Sequence, residues 1–436
     1  MILINRTIFI LLFFLLLGCS LDKKSGIWTK SKKILAEKNI KTKELFKEDP
    51  ALDKEINPNL RVNLTSKLLS NSFVGNKDNN NGRIKYDGDL KKKSSFRFSK
   101  IDNFDNFEPE VIFHDKDIIF FDNKGSIFRF DENTKLIWKK NYYSKREKKL
   151  KPILSLAANT NVLIVSDSIT KFYAININNG DLIWTKNNDA PFNSQIKIFE
   201  NKFYVVDNNN TLKCFSIKDG SLIFEFKTEK AFIRSQKKMS LILIDEYVYF
   251  NNSIGDITAV DINSGDLIWQ TPTRSTLELG DPFFLKTSDI VGNKDNLFFS
   301  NNKNQFFSID AKSGVLNWKQ KINSDLRPTL INNFIFTITN EGYLVIIDIA
   351  SGEIKRANYL LANYKKKKRD RIKPIGFVVG SKNIYLTTSN GRLMIVDILT
   401  GKVLSTLKID NSKISRPFIL NQNMFIVKEN AIIKIR

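Results

Sequence analysis

From residue 95 onward the chain is a succession of short apolar runs with period-two alternation, each closed by a polar turn. One segment recurs: NINNGDLIW ends at Trp184, DINSGDLIW at Trp269 and DAKSGVLNW at Trp318, with weaker copies ending at Trp138, Phe224, Arg356 and Ser405. In chain order these end points stand 46, 40, 45, 49, 38 and 49 residues apart. Upstream of most copies lies an apolar strand, a polar turn and a second strand, as in EYVYFNNSIGDITAVDI (246–262) and NFIFTITNEGYLVIIDI (333–349). Each unit therefore predicts strand, turn, strand, tight turn, strand, with one more strand before it that starts near a proline such as Pro328, Pro374 or Pro417. Four short strands per repeat is the arithmetic of a propeller blade.

The turns carry their own chemistry. Gly180, Gly220, Gly265, Gly314, Gly352 and Gly401 are placed to supply positive φ, and Asp261, Asp310, Asp348 and Asp397 to bond the backbone two residues on. Trp138, Trp184, Trp269 and Trp318 occupy one repeat position and are expected to pack between adjacent blades. After the seventh copy, residues 416–436 supply an eighth unit that lacks its last strand. A propeller hides its edges by letting the N-terminal side supply that strand; SFRFSK (95–100) alternates correctly for it, with RIKYDG (83–88) as the fallback. The expected fold is all-β, an eight-bladed β-propeller over 95–436, seven blades being the alternative.

The first 19 residues, MILINRTIFILLFFLLLGC, hold one basic residue, an unbroken apolar run from Ile8 to Leu17, then Gly18 and Cys19. That run is about half the length needed to cross a bilayer. Leu16-Leu17-Gly18-Cys19 resembles a bacterial lipobox, so residues 1–18 are expected to be a signal peptide and Cys19 a lipidation site. The residue after the cysteine is not Asp, which implies the outer membrane, facing the periplasm. Residues 19–94 are rich in Lys, Asn and Ser, include the polar run NKDNNNGR (76–83), and are expected to form a flexible tether; 27–46 could form an amphipathic helix. With Cys19 alkylated, Cys214 has no partner and is expected to be a small buried apolar residue.

Charge narrows the partners. There are 69 Lys and Arg against 46 Asp and Glu, a formal +23, with 42% apolar residues, enough for a real core. His114 is the sole histidine, and two cysteines cannot build a four-cysteine zinc site. A charge of this size suggests nucleic acid or an anionic surface, but behind a secretion signal nucleic acid is not the target. The densest charge is KKKKRDR (365–371), between the sixth and seventh blades. A solvated loop, anionic lipid headgroups and an acidic partner surface all remain open for it. No G-x-S-x-G, H-E-x-x-H or P-loop motif is present.

A strand ending in Ala-x-Asp followed by x-x-Ser-Gly-x-x-x-Trp resembles the pyrroloquinoline-quinone-type propeller repeat, shared by quinoprotein dehydrogenases and by the BamB family of outer-membrane lipoproteins. The dehydrogenase resemblance implies a quinone in the central tunnel, a calcium held by Glu and Asn, a catalytic Asp and, in the alcohol dehydrogenases, an adjacent Cys-Cys disulfide; this chain has no adjacent cysteines. Similarity to the BamB family, with its lipidated cysteine, tether and eight blades, implies a scaffold without catalytic residues or cofactor. It would bind the periplasmic domains of BamA, other subunits of that assembly machine and, through its edges, unfolded β-barrel clients. In that family a Leu-x-Leu-Arg segment entering the fourth blade contacts BamA; here the matching stretch is Ala231-Phe232-Ile233-Arg234, in which Ala231 departs from the pattern and Phe232, Ile233 and Arg234 become the expected contacts. The family's acidic residues in the next loop map to 273–291, with Glu278, Asp281 and Asp289, although no Asp-x-Asp is present. A periplasmic propeller that binds cell-wall or other polysaccharide is the alternative function, and a quinone-dependent dehydrogenase the less favoured one.

Overall fold

The structure is a computed structural model that describes residues 52–72, 77–91, 93–98, 100, 101, 104, 111–229, 238–273 and 286–436. Residues from Pro50 to Arg436 form one compact unit. The described residues build 32 strands, arranged as eight four-stranded antiparallel sheets. Blade 1 is β2–β5 (112–140), blade 2 β6–β9 (154–187), blade 3 β10–β13 (197–227) and blade 4 β14–β17 (241–271). Blade 5 is β18–β21 (291–320), blade 6 β22–β25 (329–359) and blade 7 β26–β29 (374–408). Two short helices join blades: α1 (Lys145–Lys149) after blade 1 and α2 (Lys366–Arg369) after blade 6.

Blade 8 is β30–β32 (418–435) completed by β1 (Lys93–Arg97), which runs antiparallel to β32 (Ala431–Ile435) with Ser95 opposite Ile433. The closing strand is thus the one expected at 95–100, begun two residues earlier. Phe96 stacks on Phe130 of blade 1 at 4.7 Å, so closure also seals the junction between the last blade and the first.

Each blade is apolar on both faces because it packs between two others. The second and third strands are accordingly buried almost throughout, as at Phe203–Val206 and Leu344–Ile347. The core is eight clusters, one at each junction between neighbouring blades. In blades 1–7 the pairing of third and fourth strands slips by one residue at the same place; in blade 2, Ala174 faces Trp184 while Ile175 faces Leu182, leaving Ile183 as a bulge. A bulge there twists the outer strand and re-aims the aromatic that follows it.

That aromatic reaches the next blade. The indole Nε1 of Trp138, Trp184, Trp269 and Trp318 donates to the carbonyls of Ile177, Ile217, Ala311 and Ile349 at 2.8–3.0 Å. Each ring lies on the turn glycine of that next blade: a Cβ at Gly314, whose φ is +71°, would fall 2.5 Å from the Trp269 ring. Turn glycine and tryptophan are therefore two halves of one interlock.

The tether expected over 19–94 does not extend through its second half. Residues 52–72 and 77–91 lie on the propeller, and Leu52, Ile56, Val62, Leu64, Leu69, Ile84 and Tyr86 join the clusters between blades 5 and 6, 6 and 7, and 7 and 8. The residues before 52, with Cys19 and the 27–46 stretch, lie outside the described residues.

Candidate functional site

First strands of neighbouring blades approach one another, β2 with β6, β6 with β10, β10 with β14 and β14 with β18, so they ring the axis. Across that axis runs the polar stretch that composition had marked as linker. Lys77 O accepts from Leu243 N of blade 4 at 2.9 Å, Asp78 O from Gly292 N of blade 5 at 3.4 Å, and Asn80 Oδ1 from Leu330 N of blade 6 at 3.1 Å. Ile84 N donates to Val379 O of blade 7 at 2.8 Å, and Ser72 N to Ile419 O of blade 8 at 2.8 Å. The Lys77 ammonium lies 4.1 Å from the Phe199 ring centroid of blade 3. Residues 77–84 thus touch the first strands of blades 3 to 7 in turn, along the inner wall of the ring.

Asn79 reaches furthest in and is buried. Its Nδ2 donates to Ser240 Oγ at 3.2 Å and to Ile290 O at 3.0 Å, and its Oδ1 accepts from the buried Lys197 ammonium at 2.5 Å. With its amide turned to satisfy both ends, Gln195 donates to Leu241 O at 3.2 Å and accepts from Arg327 Nη2 at 3.1 Å. Arg327 Nε in turn donates to Asp289 Oδ2 at 2.7 Å, with Arg416 Nη2 3.9 Å from the same oxygen. RIKYDG, the fallback closing strand, instead enters the channel, where Arg83 bridges parallel to Val379 and its guanidinium donates to Leu64 O and Ser381 O.

This geometry bears on the expected site residues. Asp289 is 13% exposed and paired with Arg327 of the following blade. Phe232, Ile233, Arg234 and Asp281, like Cys19, lie outside the described residues. The chain around them is placed only by its flanks, at 229 and 238 for the first loop and at 273 and 286 for the second. Both loops link a fourth strand to the next first strand, so both leave from the same end of two adjoining blades. Cys214 is buried, and burial pushes its thiol up to about 12, against a hydrogen bond from Tyr204 that lowers it, so the sulfur stays protonated and inert.

The acids of the described channel residues are committed to partners within the ring. Residues 77–84 hydrogen-bond to the inner strands, Asp289 is paired with an arginine, and among the described residues no group of three His, Cys, Asp or Glu side chains could hold a metal ion.

A second departure from the repeat sits at the rim of blade 6. At the interlock position of that blade stands Arg356, fully buried, whose Nη2 donates to Ile398 O of blade 7 at 2.8 Å, the role of the indole elsewhere. Its Nη1 bonds Leu399 O and, at 2.9 Å, Leu60 O. Burial lowers the guanidinium to about 10, opposed by Asp397, which leaves it charged at neutral pH. Beside it Ile56 adds to the outer edge of β25 (Ile354–Tyr359), exchanging two backbone hydrogen bonds with Ala357 at 3.1 and 2.8 Å. The signal for this was present in the sequence as the one copy, DIASGEIKR, that ends in a cation.

Eight four-stranded blades, five of them bearing an aromatic ring that lies on the turn glycine of the next blade, define a β-propeller of the pyrroloquinoline-quinone-like class. The family model for outer membrane protein assembly factor BamB matches residues 123–358, more than half of the chain. The chain belongs to that family. Relatives described as outer membrane protein assembly factor BamB include one from Moranella endobia, 20% identical over 274 residues, covering 62% of this chain and 68% of that protein. A second, from Legionella pneumophila, is 23% identical over 155 residues, 35% of each chain. The Yersinia pestis relative is 21% identical over 208 residues, 44% of this chain and 49% of its own. The chain thus spans about a third to two thirds of these relatives' lengths. Among solved structures, BamB from Moraxella catarrhalis superposes with a TM-score of 0.62 at 13% identity, covering 79% of this chain and all of that one. Quinohemoprotein alcohol dehydrogenase from Comamonas testosteroni superposes at 0.61 with 10% identity, over 84% of this chain and 80% of its own, a likeness of fold alone.

Proposed function

We propose that the chain is a non-enzymatic scaffold subunit of the machine that assembles β-barrels in the outer membrane, anchored there through a lipid on Cys19 and facing the periplasm. The observation that carries this reading is the match of residues 123–358 to the assembly-factor family, on a ring whose inner strands are hydrogen-bonded by its own residues 77–84. The hydrogen bonds that Asn79 makes to Ser240, Ile290 and Lys197 tie polar groups of the inner wall to the chain's own N-terminal side, which supports a binding role over quinone chemistry. BamA is the proposed principal partner, met by Phe232, Ile233 and Arg234 after blade 3 and by Asp281 after blade 4. An apolar side chain followed by a guanidinium is a frequent interface anchor. Other subunits of the machine, and unfolded barrel strands at the blade edges, complete the proposed partner set.

The test is co-purification of BamA with Arg234→Ala and Arg234→Glu, each checked for an unchanged circular dichroism spectrum. Recovery of BamA falls in both, further in the charge reversal. Undiminished recovery in both would remove the loop from the interface.

A further inference from the structure

Among the described residues, the chain first meets the ring at blade 6. Because Ile56 pairs antiparallel with Ala357, residues 55, 54 and 53 run toward the end of β25 that leads into 360–373. Glu55 accepts from Tyr359 N at 2.9 Å, and Asp53 O accepts from the Tyr343 hydroxyl at 2.6 Å. The Tyr343 and Tyr359 rings meet at 4.8 Å, and the Arg369 guanidinium lies over Tyr359 at 5.6 Å. Tyr359 thus joins the place where the chain reaches the propeller to the turn that carries KKKKRDR.

That turn is built to present charge. Arg369 folds back, donating to Tyr364 O and Ala362 O, each at 2.7 Å, and so braces the turn. Lys365, Lys366, Lys367, Lys368 and Arg371 stay exposed, and among the described residues no carboxylate pairs with them. The basic helix α1 (Lys145–Lys149) differs: its Glu147 caps the helix at Ser144 and holds Lys171 at 2.5 Å, tying it to blade 2.

We propose that residues 365–371 contact an anionic phospholipid surface. Cys19 lies 33 residues before Leu52, so a chain anchored there can hold the rim of blade 6 no further from the bilayer than about 115 Å. The pull of the anchor acts at Tyr359, beside the lysines. Among the solvated, protein-facing and lipid-facing readings of this charge, its position at the anchored rim selects the lipid. Each lysine near an anionic surface adds attraction, and a lipid anchor combined with a polybasic patch holds more firmly than either alone. The inference rests on the proposed lipidation of Cys19, but the two can fail separately.

The test uses residues 19–436 with Cys19→Ser, which carries no lipid, sedimented with vesicles of phosphatidylcholine alone or with about a third phosphatidylglycerol. The protein is expected to bind the anionic vesicles selectively and to release as salt rises. Replacing Lys365, Lys366, Lys367 and Lys368 together with Gln weakens that binding about tenfold or more. The same neutralisation of Lys145, Arg146, Lys148 and Lys149 in α1 weakens it less than about threefold. Equal unfolding temperatures confirm that both variants fold. No preference for anionic vesicles, or equal loss in the two variants, overturns the proposal; the first result would leave an acidic protein surface as the occupant. The mass of the Cys19 peptide from native membranes reads the anchor independently.

Discussion

Blades 5 and 6 follow the same repeat and part company at one side chain. In blade 5, Trp318 spends its single donor on Ile349 O, lies on Gly352, and leaves the outer strand bare, with Val315 and Leu316 exposed. In blade 6, Arg356 makes the corresponding bond to Ile398 O and has donors left for Leu399 O and Leu60 O. An indole closes a junction between two blades; a guanidinium at the same point closes it and also fixes a third piece of chain. Residues 52–62 follow from that, pairing Ile56 with an outer edge that, among the described residues, has no such partner on blades 1–5. The same residues decide where an anchored N-terminus would pull on the ring.

Arg356→Ala is the harshest way to break this contrast. The buried Ile398 carbonyl and the half-buried Leu60 and Leu399 carbonyls lose this donor at once, a fully buried side chain is removed, and stability should fall by about 3 kcal/mol or more in chemical denaturation. A loss below about 1 kcal/mol would mean that the guanidinium does not hold the junction. Ile56→Pro is gentler, since it removes one donor and blocks edge pairing while leaving the ring intact. It should cost about 1 kcal/mol and expose 52–62 to limited proteolysis, with the spectrum of the ring unchanged. Equal protease resistance would show that the segment is held by something other than the edge. The smallest effect belongs to a bare edge: Leu182→Lys with Ile183→Lys in blade 2 should change stability by less than about 0.5 kcal/mol, because both side chains are already exposed. A loss of several times that would reveal a cover on blade 2 like the one on blade 6.

How far these features could be read from residues alone follows from what each depends on. The blades depend on period-two runs and on turn residues with a local conformational role, so Gly314, Asp310 and Trp318 announced both the turn and the interlock. The closing strand depends on alternation, which 95–100 carries. Residues 77–86 depend on something a pattern cannot show. Those from Lys77 to Arg83 are polar and still line the inner strands, which offer backbone donors and acceptors that Asn, Asp and Gly can satisfy at close range. Asn79 and Asn80 therefore looked like linker. Arg356 looked like a decayed copy of the repeat for a related reason: its value lies in carbonyls contributed by residues 60, 398 and 399, which no local window contains. The pairing of Asp289 with Arg327 is likewise invisible in a local window, because Arg327 comes from the following blade.

The central claim, that this ring is a scaffold in outer-membrane barrel assembly, is tested most directly by extracting the native protein in mild detergent, capturing it through a C-terminal tag, and identifying by mass spectrometry what accompanies it. The account predicts BamA in the eluate, retained by the wild-type chain and depleted with Arg234→Glu. An eluate that holds the intact propeller without BamA in either case would contradict it.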